Sequence, residues 1–353
     1  MIAVFLVALV IFGLVYGAWS TITTIFEPPA TNSTQSVPLV IQSGESTQQI
    51  ADDLYKKGLI RNPLAFRIWA RIKGLDTTLE AGAYLLTPNM TIDQIIAKLQ
   101  NGQPDAKPLL VVEGWRLEQI AAAGSQSGLP GFNKQQFLNY VKHPDQFPDR
   151  AKYPILQQIP QGQSMEGLLY PDTYLIPVSY NTRQVIDMML DEFTKVVQQN
   201  NLVALAQQNG LSEYQMVILA SITQREVRFT SDMSLVASVY WNRIKRPNAE
   251  TNGLLQADPT VQYARDTDNP PATYWQPLTD SGNNIDTKSP WNTYTNPGWP
   301  PTPIASPGLL ALKAAASPAK TQYYFFLAKK DGHNVYAKTL AEFQQLENKY
   351  LSH

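Results

Sequence analysis

Within residues 219–242, LASITQREVRFTSDMSLVASVYWN, the carboxylate of Glu226 stands where a continuing helical stripe would hold another hydrophobe. Ser212 and Gln215 form an S-x-x-Q pair that predicts a capped helix start, and Leu219, Ile222 and Glu226 then recur at i, i+3 and i+7. A carboxyl group held among apolar neighbours is costly to ionise. Its pKa therefore rises toward neutrality, which suits a group that first donates a proton and then takes one back. Gln224 lies about 200° around the same helix, off that stripe. Taken alone, a glutamate near a helix end reads as an ordinary solvated residue, so the rest of the chain has to decide.

Further residues able to contact a polar ligand fall in three segments. EGLLYPDTY supplies Glu166 and Tyr170, QADPTVQY supplies Gln256, Asp258 and Thr260, and the Pro-rich run NTYTNPGWPPTPIASPG supplies Asn292 and Tyr294. Aromatic faces with carboxylates and amides beside them are the usual lining for a sugar, and these residues are read as a saccharide-binding set. Each also has a structural reading. Asp258 before Pro259 is a natural turn or helix start, Asn292 is a common turn residue, and Tyr170 precedes a Pro-containing strand start. His143, His333 and His353 are scattered without ligand spacing and cysteine is absent, so no metal and no cofactor is expected. A net charge of −1 gives no basic face for nucleic acid.

Several elements must position these groups. Residues 2–26 contain no charge and are long enough to span a bilayer, and they lack the charged start and small-residue cleavage site of a signal peptide. A retained transmembrane helix, 1–26, is therefore expected, followed by a short linker with two prolines, 27–36. Residues 37–106 read as a small α+β module. Its helices are announced by Ser46 with Gln49, Asn62 before Pro63, and Thr91 with Gln94, and its strands are PLVIQ and AGAYLL. The strand, helix, helix order of SGESTQQIADDLYKKGLIRNPLAFRIWARIKG resembles LysM-like modules, which bind N-acetylglucosamine polymers. Residues 107–353 read as a larger α+β domain. It opens with a strand and turn into a helix at LLVVEGWRLEQIAAA, and a long helical stretch, 182–208, leads to the Glu226 helix. A helix capped by Ser231 or Asp232 follows, then a folded loop wall over 253–307 that holds Trp291, Tyr294 and Trp299. A hairpin turned at Asp331-Gly332 and a last helix boxed by Thr339 and Glu342 close the chain.

The segments EGWRL, EGLLYPDTY, LASITQRE, VASVYWNR, QADPTVQY, NTYTNPGWPPTPIASPG, ALKAAASPAKTQYYFF and GHNVYA occur in this order. Together they resemble the endolytic murein transglycosylase (YceG-like) family. That resemblance implies a single-pass protein of the bacterial inner membrane with its catalytic domain on the extracytoplasmic side, acting alongside peptidoglycan synthases. It implies cleavage of nascent peptidoglycan strands between N-acetylmuramic acid and N-acetylglucosamine, leaving 1,6-anhydro ends. It places the catalytic glutamate on Glu226, the last residue of the A-S-I-x-x-x-E pattern. Many relatives have Glu where this chain has Gln224, a departure that the helical geometry tolerates. Two other functions fit the same residues. One is a hydrolase of the same bond with Asp258 activating water; the other is a non-catalytic wall-binding anchor in which Glu226 is a buried structural carboxylate.

Overall fold

The computed structural model describes residues 26–33, 35–42, 44–74, 79–100, 106–278 and 287–351 of the 353-residue chain. The expected membrane anchor lies outside these apart from Phe26, and among the described residues no helix is long and apolar enough to cross a membrane.

One compact unit is built from β1 (Val37–Ile41), α1 (Thr47–Lys56), α2 (Pro63–Ile72), β2 (Gly82–Leu86) and α3 (Ile92–Leu99), with β3 (Ala106–Leu110) and β4 (Thr173–Pro177) grouped with it. Ser46 and Thr91 form reciprocal capping boxes with Gln49 and Gln94, and Asn62 accepts the Ala65 N–H ahead of α2, so all three helices start where their side chains dictate. Strands β1 and β2 pair antiparallel with Leu39 opposite Tyr84. Their inward side chains close on Ile50, Leu54, Phe66, Ile95 and Leu99, all essentially without solvent contact. Strand β3 pairs antiparallel with β4, Leu109 opposite Tyr174.

The second unit is largely helical: α4 (Leu117–Gln126), α5 (Lys134–Lys142), α6 (Thr182–Gln199), α7 (Leu202–Gln208), α8 (Glu213–Glu226), α9 (Met233–Lys245), α10 (Asp258–Asp268), α11 (Leu309–Ala316) and α12 (Leu340–Tyr350). The antiparallel hairpin β5 (Phe325–Ala328) and β6 (Asn334–Ala337) completes it. Helices α7, α9, α10 and α11 all pack against α8. Every residue from Met216 to Thr223 is buried, which is what a helix surrounded by other helices requires. The apolar stripe expected through Leu219 and Ile222 is therefore part of a sheath around the whole helix. Only the last turn, Gln224 to Glu226, regains solvent contact.

Four further expectations are corrected. The helical stretch 182–208 is broken into α6 and α7 where Asn201 takes a left-handed φ of 52° and the Asn200 amide donates back to the Val196 carbonyl at 2.9 Å. Asparagine tolerates that conformation, and its side chain competes with the helix for backbone partners. The wall 253–307 contains the eleven-residue α10, which Asp258 and Pro259 open. Asp232 precedes α9 without capping it, because its carboxylate instead accepts the Asn334 N–H at 3.0 Å. The final helix is capped by Thr339, but Glu342 returns its bond to the Lys338 N–H.

The reciprocal box at Ser212 and Gln215 opens α8 as expected. Replacing Ser212 with Ala should lower the unfolding free energy by about 1 kcal/mol in urea titrations without altering the denaturant slope.

Candidate active site

The last turn of α8 is fixed by bonds to the loop that precedes α11. Ser221 Oγ accepts the Ile304 N–H and Gln224 Oε1 accepts the Gly308 N–H, each at 3.0 Å. The same loop exchanges two backbone bonds with the turn before α4, Gly114 N–H to the Ser306 carbonyl at 2.7 Å and Ser306 N–H to the Trp115 carbonyl at 2.8 Å. Gln224 also hydrogen-bonds Glu113, whose carboxyl has its pKa raised by desolvation despite that bond. A Cβ at position 308 would lie 1.8 Å from Glu113 Oε1, so a side chain there would push the Glu113 carboxyl out of its present place. The segments EGWRL, SITQRE and PIASPG thus interlock at one helix end.

Glu226 closes that helix with some solvent exposure, although protein surrounds its carboxyl group. The buried Tyr240 hydroxyl on α9 donates to its Oε1 at 2.6 Å. Burial pushes the Glu226 pKa up to about 7; the Tyr240 bond and the Arg243 charge oppose this, while the negative charge of Asp258 adds to it. Arg243 is itself buried, with Nε on the Tyr324 carbonyl at 2.7 Å and Nη1 on the Leu255 carbonyl at 2.6 Å. The carboxyl can hold a proton near neutral pH and can also release it.

The structure brings three of the expected binding residues around Glu226. Asp258 is exposed at the start of α10 and accepts the Tyr294 hydroxyl on Oδ1 at 2.6 Å. Gln256 receives Arg243 Nη1 on its side-chain oxygen at 3.1 Å and has a left-handed φ of 52°, an unfavourable conformation for a residue with a Cβ. Thr260 and Asn292 have no exposed surface. Thr260 Oγ1 bonds the Ala257 carbonyl at 2.7 Å and the Thr293 hydroxyl at 2.8 Å, while Asn292 Oδ1 accepts the Tyr294 N–H at 3.0 Å. Both side chains are turned into the wall. Tyr170 is buried at 9 % exposure, and burial together with the charge of Asp172 pushes its hydroxyl up to about 12.

Glu166 belongs to a separate buried network. It is 1 % exposed and accepts the Leu117 N–H at 3.2 Å, at the start of α4, and the Tyr263 hydroxyl at 3.3 Å. Arg116 bonds the Tyr263 carbonyl at 3.2 Å and the Thr267 hydroxyl at 2.6 Å, so the two residues clamp α10. The sequence reading missed Tyr240, Arg243 and Arg116 as site-forming residues. Tyr240 reads as one more apolar-face position, and the two arginines give no signal until the fold buries them. Among the described residues no three His, Asp or Glu side chains stand together as a metal would need.

The profile of the YceG-like family matches residues 39–349. The chain belongs to this family. It is 31% identical over 345 residues to a Bacillus subtilis protein named endolytic murein transglycosylase, covering 95% of this chain and 91% of that one. A Streptococcus pneumoniae protein of the same name is 30% identical over 328 residues, and the match spans 57% of its length. The crystal structure of a yceG-like protein from Listeria monocytogenes superposes with a TM-score of 0.57 at 29% identity, covering 88% of this chain and 99% of that one.

Two titrations test the electrostatics of this YceG-like chain. Carbon-13 NMR of the Glu226 carboxyl should give a midpoint near 7, and Tyr240→Phe should move it higher, because the lost phenol stabilised the carboxylate. Glu166 has its pKa pushed up to about 8, chiefly by burial, with the Glu118 charge adding to it. Its folded pKa lies above the unfolded value, so its stabilisation is complete below about pH 4.5 and is lost as pH rises through about 8. Chemical unfolding at about pH 5 and about pH 9 should show a larger drop in stability for the wild type than for Glu166→Gln.

Proposed function

We propose that this chain is a membrane-anchored endolytic lytic transglycosylase of peptidoglycan. It cleaves the bond between N-acetylmuramic acid and N-acetylglucosamine and leaves a 1,6-anhydro-muramic acid end. Protonated Glu226 donates to the glycosidic oxygen as the C1–O bond breaks. The muramic C6 oxygen then bonds C1, and the Glu226 carboxylate takes the C6 hydroxyl proton, so the enzyme regains its starting state without consuming water. The observation that carries this reading is the Glu226 carboxyl at the open end of α8, held by the Tyr240 hydroxyl at 2.6 Å, with burial raising its pKa to about 7. The names of the Bacillus and Streptococcus relatives support the same reaction class.

Asp258 binds and orients the sugar through its partnership with Tyr294 and forms no covalent bond. In this reading, residues 1–26 anchor the protein in the bacterial inner membrane with the catalytic unit outside the cytoplasm. The module with β1, α1, α2 and β2 binds glycan in the manner of LysM-like modules, and peptidoglycan synthases are the partners that supply nascent strands.

Mass spectrometry of fragments released from purified peptidoglycan tests the reaction. Wild-type protein should produce anhydro-muramyl ends, Glu226→Gln should lower their rate of formation by about 10²–10⁴-fold, and Asp258→Asn should slow it without abolishing it. Reducing ends would make the enzyme a hydrolase, and unimpaired cleavage by Glu226→Gln would remove Glu226 from the chemistry.

A further inference from the structure

Two arginines lie against the ring of Trp275, with guanidinium carbons 4.3 Å (Arg225) and 5.8 Å (Arg116) from its centroid. Arg116 is tied to its neighbours, stacked also on Tyr263 at 4.2 Å, bonded into α10 through its Nη atoms and ion-paired with Glu118 at 3.5 Å, although its Nε, like that of Arg225, lacks a hydrogen-bond acceptor. Arg225 has no such ties. Its Nε is buried without an acceptor, and no carboxylate of the described residues lies within ion-pair range of its guanidinium. Burial lowers its pKa from the ordinary arginine value, the direction expected of a cation without an anionic partner.

The surroundings of Arg225 are built in advance. Trp275 holds a left-handed φ of 68°, with its N–H on Asp266 Oδ2 at 2.8 Å and its indole N–H on Gln119 Oε1 at 3.3 Å. Such a conformation is unfavourable for a tryptophan and persists only where the neighbours enforce it. On the other side Gly114, at a φ of 79°, leaves a slot. A Cβ there would stand 3.0 Å from Arg225 Nη1 and 3.3 Å from its Cδ. A guanidinium held over an indole ring, with no carboxylate partner, can offer its N–H groups to a planar, bidentate anion.

We propose that Arg225 is the receptor for a carboxylate carried by the muramic acid substituents of the glycan strand. The assignment rests on the peptidoglycan reading given above. Arg225 directly precedes Glu226, and the two sites share α10 as a wall: Asp258 at its start interacts with Glu226, while Asp266 near its end fixes Trp275. Those two residues are about 12 Å apart along the helix, so the receptor lies to one side of the bond being cut, where a substituent would reach. Muramic acid carries a lactyl ether whose carboxyl is either free or amide-linked to a stem peptide with carboxylates of its own. A partly desolvated, unpaired guanidinium gains most from such a charge.

The test compares full-length wild type, Arg225→Met and Arg225→Lys in detergent on three lipid-free strands: peptide-bearing, amidase-stripped, and carbodiimide-amidated so that no carboxylate remains. Arg225→Met should raise KM about ten-fold on carboxylate-bearing strands with little change in kcat, Arg225→Lys should recover part of the loss, and the difference from wild type should vanish on amidated strands. A loss on peptide-bearing strands alone assigns the stem carboxylates, and a loss on stripped strands as well assigns the lactyl group. An equal loss on amidated strands would show a structural role and overturn the proposal, as would an unchanged KM on every strand. Thermal unfolding of each variant checks folding. Equilibrium binding of the same strands reads the receptor even where no bond is cut, so absent cleavage counts against the proposed reaction and unchanged binding counts against the receptor.

Discussion

A helix packed on every side can present a functional group only at its ends, and α8 presents Glu226 at its last residue. Its buried stretch from Met216 to Thr223 leaves it no freedom to rotate or slide among α7, α9, α10 and α11. The end itself is secured by side chains that reach out of the helix. Ser221 and Gln224 hold the loop before α11, and that loop in turn holds the turn before α4. Such bonds satisfy backbone N–H groups that would otherwise be buried without partners. The carboxyl of Glu226 is thereby placed by the fold, so its position does not depend on a mobile loop.

Position alone would not make Glu226 the proton donor proposed above, and the electrostatics bear on the rest. Burial and the nearby Asp258 raise the Glu226 pKa, while Tyr240 and Arg243 restrain the rise, leaving it at about 7. Arg243 exerts its charge from a fixed place because carbonyl groups of Tyr324 and Leu255 hold it. Asp258 is placed by α10, and α10 is clamped by Arg116 and Glu166 one to three turns further along. Glu166, at 1 % exposure, is thus linked to Asp258 through the placement of α10.

Much of this was legible in the sequence where local chemistry determines structure. The capping pairs at Ser46, Thr91 and Ser212 start their helices as read, and Asp331-Gly332 turns the last hairpin. The reading of Glu226 reached the residue that the structure places beside Tyr240, although the apolar stripe used to find it belongs to a helix buried all round. The break at Asn200-Asn201 was missed because two asparagines inside a periodic pattern weaken a helix without marking its end. Thr260 and Asn292 turn inward, to the Thr293 hydroxyl and the Tyr294 N–H, an orientation that sequence cannot tell from an outward one. The arginine and tryptophan group at 116, 225 and 275 joins three distant segments, so no window of sequence reveals it.

The central claim is that the substrate's own C6 oxygen, and no water molecule, closes on C1 under the control of Glu226. Cleavage of peptidoglycan in heavy-oxygen water, with mass analysis of the new muramyl ends, tests this most directly. The account predicts ends that carry no solvent oxygen and lack one water relative to the reducing sugar. Heavy oxygen incorporated at C1 during the enzymatic step would contradict it and assign the attack to water.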